Sequence, residues 1–130
     1  MSGDRPGLQA LTVGASARIA HVFTAAQIDD WWQLAGTAGA RAPAHNSVPE
    51  PLIAGLFSCL LGERLPGHGT NYLKQRMVFE RPAPAGTALT ASVTITHIRH
   101  DKALVDLDTV CHDAAGRIVC RGRALVRFDR

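Results

Sequence analysis

The sequence predicts an α+β fold in which an antiparallel sheet wraps around one apolar helix, and three observations predict it. The segment "PLIAGLFSCLLGER", residues 51–64, carries Leu52, Ile53, Leu56, Phe57, Leu60 and Leu61 as a wide apolar face, with the small residues Ala54, Gly55, Ser58 and Cys59 between them. A helix apolar on nearly every side must be covered on several of them. After Gly69 the apolar period falls to two, the signature of strands with one wet face. The length of 130 residues, with 46% apolar and 19% charged content, is that of one globular domain. That domain is expected over residues 8–130, behind a loose tail at 1–7.

Taken in order, the elements begin with a short strand at Ala17 to Phe23. Thr24 with Gln27 three residues on forms a capping box that opens the helix "AAQIDDWWQLAG". Ile28, Trp31, Trp32 and Ala35 share one face at helical spacing, so the Trp pair is expected to pack inside and cover an edge. Small residues, one Pro and no period make 36–47 a loop. The central helix then starts near Pro51, where a first-turn Pro costs no intrahelical hydrogen bond, and runs to about Arg64. Four strands follow: "NYLKQRMVFE", ended by Pro82 and Pro84; "TALTASVTITHI"; "ALVDLDTVCH"; and "IVCRGRALVRF", joined to its predecessor by the turn "DAAGR". A turn over Ala114 to Arg117 sets Cys111 opposite Cys120, and Gly122, on the inward face, is expected to let a helix approach the sheet.

Composition excludes several functions. A formal charge of +3 comes from fourteen scattered Lys and Arg, with few aromatics for base stacking, so no nucleic-acid partner is expected. A small phosphorylated ligand suits the modest excess better. Three cysteines without C-x-x-C spacing signal neither a zinc site nor a redox motif, so no metal is expected. The odd cysteine count and the polar start "MSGDRPG", which has no apolar h-region, point to a reducing cytoplasm. No stretch is apolar enough to cross a bilayer, and no membrane partner is expected.

A central apolar helix followed by four antiparallel strands, with a strand and a helix before it, is the hot-dog arrangement. The segment "LIAGLFSCLLGERLPGHGTNYLKQRMVFERPAPAGTALTASVTI" closely resembles the matching region of MaoC-like (R)-specific enoyl-CoA hydratases. The likeness rests on "LFSxLLG", the following "LPG", the G-x-x-Y-L at Gly69 to Leu73, and the F-x-x-P-x-x-x-G at Phe79, Pro82 and Gly86. It extends from about Leu8 to Phe128. The resemblance implies an acyl-CoA or acyl-carrier-protein thioester as ligand and substrate, no further cofactor, and a homodimer, since a sheet edge and a helix end need cover.

The family's catalytic motif does not come with it. Those hydratases carry Asp-x-Asn-Pro-x-His after the first helix and His-Gly at the central helix. The corresponding positions here hold Thr37, Gly39, Ala40 and Ala42, then Pro49 and Glu50, and the loop is shorter. Proton transfer therefore has to come from elsewhere, and "HNSVPEP", residues 45–51, supplies the candidates. His45, an imidazole, and Glu50, a carboxylate, can share the proton transfer, and Asn46 and Ser47 can hold a water. The amides of Glu50, Leu52 and Ile53 at the positive end of the helix can polarise a thioester carbonyl. This pairing of a loop His with a central-helix acid is similar to that of hydroxyacyl-carrier-protein dehydratases and some hot-dog thioesterases. Glu50 equally serves as a plain dipole partner, and "SVPE" as a plain helix start. Arg64, Lys74 and Arg76 are the candidates for the ligand's phosphates. The expected activity is hydration of an enoyl thioester or its reverse. The alternatives are thioester hydrolysis and non-catalytic acyl-CoA binding.

Overall fold

The structure, a computed structural model, describes residues 7–35 and 47–129. A 3-10 turn at Leu8–Ala10 leads into β1 (Ser16–Val22) and α1 (Ala25–Leu34). α2 (Glu50–Glu63), β2 (Thr70–Phe79), β3 (Ala88–Arg99), β4 (Leu104–His112) and β5 (Ile118–Phe128) follow. Each bound lies within a residue or two of its expectation. Thr24 caps α1 as the sequence predicts: its hydroxyl accepts from the Gln27 amide at 3.1 Å while the Gln27 side chain accepts from the Thr24 amide at 3.0 Å. Ile28 is buried and Trp31 and Trp32 half-buried, but Ala35 is exposed, because α1 has ended by then.

The five strands form one antiparallel sheet in the order β1-β3-β4-β5-β2. Alternation decides its faces. Leu89, Ala91, Val93 and Ile95 of β3, Val105, Leu107 and Cys111 of β4, and Cys120, Ala124, Val126 and Phe128 of β5 point into the core. α2 lies across the inner face against β1, β2 and β3 and buries Ile53, Leu56, Phe57, Leu60 and Leu61 there. Full burial of one such side chain is worth about 1.5–3 kcal/mol, so this helix is the main link between sheet and core. No helix among the described residues is long and apolar enough to cross a membrane.

Two local expectations change in detail. Cys111 does pair with Cys120, but His112 pairs with Ile118, so the turn is one residue shorter than expected and a β-bulge at Val119 restores the register. Gly116, at φ 83°, provides the left-handed residue of that turn, and Gly116 N–H donates to the Asp113 carbonyl at 2.9 Å. Gly122 makes its close approach to a strand, not to a helix: a Cβ there would lie 1.7 Å from the Arg76 carbonyl oxygen of β2. Gln75 of β2 reaches past Gly122, its Nε2 donating to the Thr109 hydroxyl of β4 at 3.3 Å.

Candidate functional site

The start of α2 is held against the connection between β2 and β3. Pro49 occupies the N-cap and can offer no side-chain cap, so the preceding backbone takes over the anchoring. Val48 N–H donates to the Ala83 carbonyl at 2.8 Å, and Ser47 bridges Pro84 in antiparallel fashion. Val48 and Ala83 are both buried at this seam. The contact leaves a cleft of ≈ 530 Å³ whose wall includes Trp32, Ser47, Glu50, Ile53, Phe79 and Arg81. Its volume lies within the range of small-molecule sites.

Glu50 is exposed in the cleft, at the first position of α2. Of the three amides expected to face a carbonyl, that of Leu52 donates to the Pro49 carbonyl at 3.0 Å; those of Glu50 and Ile53 belong to the same first turn. Pro51 contributes none. The positive end of a 14-residue helix therefore opens into the cleft beside a carboxylate. Such a place can stabilise charge growing on a thioester oxygen while the carboxylate moves a proton. Ser47 lines the same cleft, whereas His45 and Asn46 lie outside the described residues.

The cleft also contains residues that sequence reasoning left out. Arg81 stands at its wall, next to Glu80, whose carboxylate accepts a hydrogen bond from Arg121 and is held below the usual carboxylate range by it. Trp32 packs edge-on against Trp31 at 4.9 Å and presents its remaining surface to the cleft. Arg81 has no local signal, and the adjacent Trp pair, which could suggest a ligand platform, is read from sequence as packing; the wall arises where the 79–83 segment meets α1 and α2.

The three basic candidates do not gather at one place. Arg64 ends α2 and donates to the Arg18 carbonyl at 2.9 Å, at the β1 edge. Lys74 and Arg76 lie on β2, the opposite edge, and line a shallow outer pocket with Asp106 and Arg123. Their side chains alternate with the inward Gln75 and Met77, on the face away from α2. Among the described residues no cluster of His, Cys, Asp and Glu has the arrangement of a metal site.

No protein-family model matches the chain. Individual relatives do. The chain is 35% identical over 134 residues to an (R)-specific enoyl-CoA hydratase of Aeromonas caviae, covering 92% of this chain and 97% of that protein. An (R)-specific enoyl-CoA hydratase of Rhodospirillum rubrum is 41% identical over 75 residues, 58% of this chain and 51% of the relative. The structure of an (R)-hydratase from Aeromonas caviae involved in PHA biosynthesis superposes with a TM-score of 0.83 at 34% identity, covering 93% of this chain and 99% of the other. With the five-stranded sheet, the buried α2 and these relatives, the hot-dog fold expected from the sequence holds. The chain belongs to the MaoC-like hot-dog family of (R)-specific enoyl-CoA hydratases.

Proposed function

We propose that this chain acts on an acyl-CoA thioester bound in the cleft at the start of α2, hydrating an enoyl group or dehydrating a 3-hydroxyacyl group, with Glu50 as the proton-transfer residue. The observation that carries this reading is the cleft itself, in which one carboxylate and the amide end of the central helix share a wall. In the hydration direction Glu50 takes a proton from water as its oxygen bonds to C3. Charge moves through C2 onto the thioester oxygen, where the Glu50 and Ile53 amides receive it, and the proton passes from Glu50 to C2. His45 is the second candidate for that proton, and Asn46 and Ser47 for orienting the water. Arg81 supplies a cation at the cleft wall, and Lys74 and Arg76 a second basic patch for the phosphates of CoA.

A second reading has its own observation. Pro49 and Glu50 stand where the family carries His-Gly, which favours a member that binds acyl-CoA without turning it over. Thioester hydrolysis is the third reading, with water directed at the carbonyl carbon. Incubation with crotonyl-CoA separates them, because loss of enoyl absorbance without thiol release means hydration and thiol release means hydrolysis. Binding without either means a non-catalytic member. We further propose a cytoplasmic homodimer as the working form, in keeping with three free cysteines and a β2 edge that pairs with no further strand among the described residues. Replacing the acyl-CoA with an acyl-carrier-protein thioester in the same assay identifies the carrier.

A further inference from the structure

Cys111 and Cys120 have no part in the proposed chemistry, yet they are two thiols paired directly across the sheet. They are direct partners on β4 and β5, and both are fully buried free thiols. Directly opposed residues in an antiparallel ladder have Cα atoms about 4.5–5.5 Å apart, inside the roughly 4.4–6.8 Å that a disulfide spans. Ladder pairing alone therefore brings them within reach of one another. The bulge at Val119 brings Cys120 into this position, and Asp113, with its turn, begins two residues after Cys111. On its other side Cys120 pairs with Phe79, a wall residue of the cleft.

We propose that Cys111 and Cys120 are a hydroperoxide-responsive thiol pair that closes into an intrachain disulfide and staples the β4–β5 hairpin. The two sulfurs are not equivalent. Hydrogen bonding with the Cys120 thiol holds Cys111 below the usual thiol range, against the opposing effects of burial and of the Asp113 carboxylate. That hydrogen bond to Cys111, together with burial, raises Cys120. On this asymmetry we take Cys111 as the attacking sulfur. Its sulfur takes one oxygen from the hydroperoxide as the O–O bond breaks, giving a sulfenic acid and an alcohol or, from hydrogen peroxide, water. The Cys120 sulfur then displaces that oxygen, which leaves with the Cys120 proton as water. Two thiols lose two electrons and the peroxide gains them. Local opening of the hairpin end admits so small an oxidant.

The test uses the whole chain carrying Cys59→Ala, which removes the exposed competing thiol and leaves both core cysteines in place. The protein is treated with hydrogen peroxide, denatured and alkylated, and its mass is measured with and without dithiothreitol. The expected result is no alkylated cysteine, a mass lower by two hydrogen atoms, and a raised melting temperature, all reversed by dithiothreitol. Two alkylated cysteines after treatment would overturn the proposal, as would oxygen additions without a disulfide. In the same background Cys120→Ser should accumulate a sulfenic acid that dimedone traps and Cys111→Ser should not. Equal trapping in both overturns the assignment of the attacking sulfur.

Discussion

Glu50 has two possible roles that differ in size. As a general acid or base it contributes about 10²–10⁴-fold in rate, whereas a carboxylate at a helix N-terminus contributes about 0.3–1 kcal/mol of stability and no turnover. We expect Glu50→Gln to reduce crotonyl-CoA turnover by about a hundredfold or more, on the general-acid magnitude, with the melting temperature nearly unchanged. Near-parental rates with both Glu50→Gln and His45→Ala would leave 45–51 as a helix start only. Gly122 makes a prediction of another kind. Its missing side chain leaves room for the Arg76 carbonyl, and backbone cannot rotate away as a side-chain tip can. Gly122→Ala should therefore cost at least about 1–3 kcal/mol in denaturant unfolding, the range for overpacking. The need for a small residue at 122 was legible from strand parity, but not what it makes room for, because that depends on how β2 lies beside β5. Glu50 and Ser47 were legible for a similar local reason, standing at a helix start. Arg81 and Trp32 were not, since a cleft wall assembled from distant segments leaves no period in the sequence.

The β4–β5 hairpin depends on one carboxylate. Asp113 Oδ1 accepts from the amides of Ala115 and Arg117 at 3.0 and 2.9 Å, and Oδ2 pairs with the Arg117 guanidinium at 2.9 Å. Burial works to raise this carboxyl, but the Arg117 amide, the Arg117 guanidinium and the Ala115 amide outweigh it, and the pKa falls below the ordinary value of 3.8. A depressed carboxyl stabilises the fold above its unfolded pKa, and the contribution is lost as pH falls through the lower, folded value. Asp113→Asn should thus melt several degrees below the parent at neutral pH, and the gap should begin to shrink below about pH 4 and close only once the pH is below the lower, folded pKa, where both chains lack the charge. A gap independent of pH in thermal melts would assign the effect to shape instead. At this scale the sequence was highly legible. Period two identified every strand of the second half, and the capping box marked the start of α1. The irregularities at Leu73, Thr96 and Val119 escaped, because an inserted residue shows only once the partner strand is seen.

Taken whole, the molecule leaves β2 at a sheet edge for ten residues, with Leu73 and Val78 each 53% exposed. A long edge strand that exposes Leu73 and Val78 invites a second chain, so light scattering at micromolar concentration should give a homodimer, and Leu73→Lys with Val78→Lys should shift it to monomer. The basic patch on the same strand adds a ligand test. Charge reversal at Lys74 and Arg76 together should weaken CoA affinity and reduce its salt dependence, measured by calorimetry at two ionic strengths. The arrangement of helix and sheet was legible because an all-round apolar helix demands a wrapping sheet; the distribution of Arg64, Lys74 and Arg76 over opposite edges was not, since strand order is invisible to periodicity. That strand order also bears on how the chain reaches its native state. β3, β4 and β5 are neighbours both in sequence and in space, while Ser16 must find Thr94 and Thr70 must find Phe128. Closing such long loops is entropically costly until the contacts are made. The three-stranded meander is thus the natural folding nucleus, with β1 and β2 added to its flanks late. Conservative truncations at Leu107 or Val126 should slow refolding, whereas truncation at Ile19 should mainly speed unfolding, in stopped-flow kinetics on both limbs.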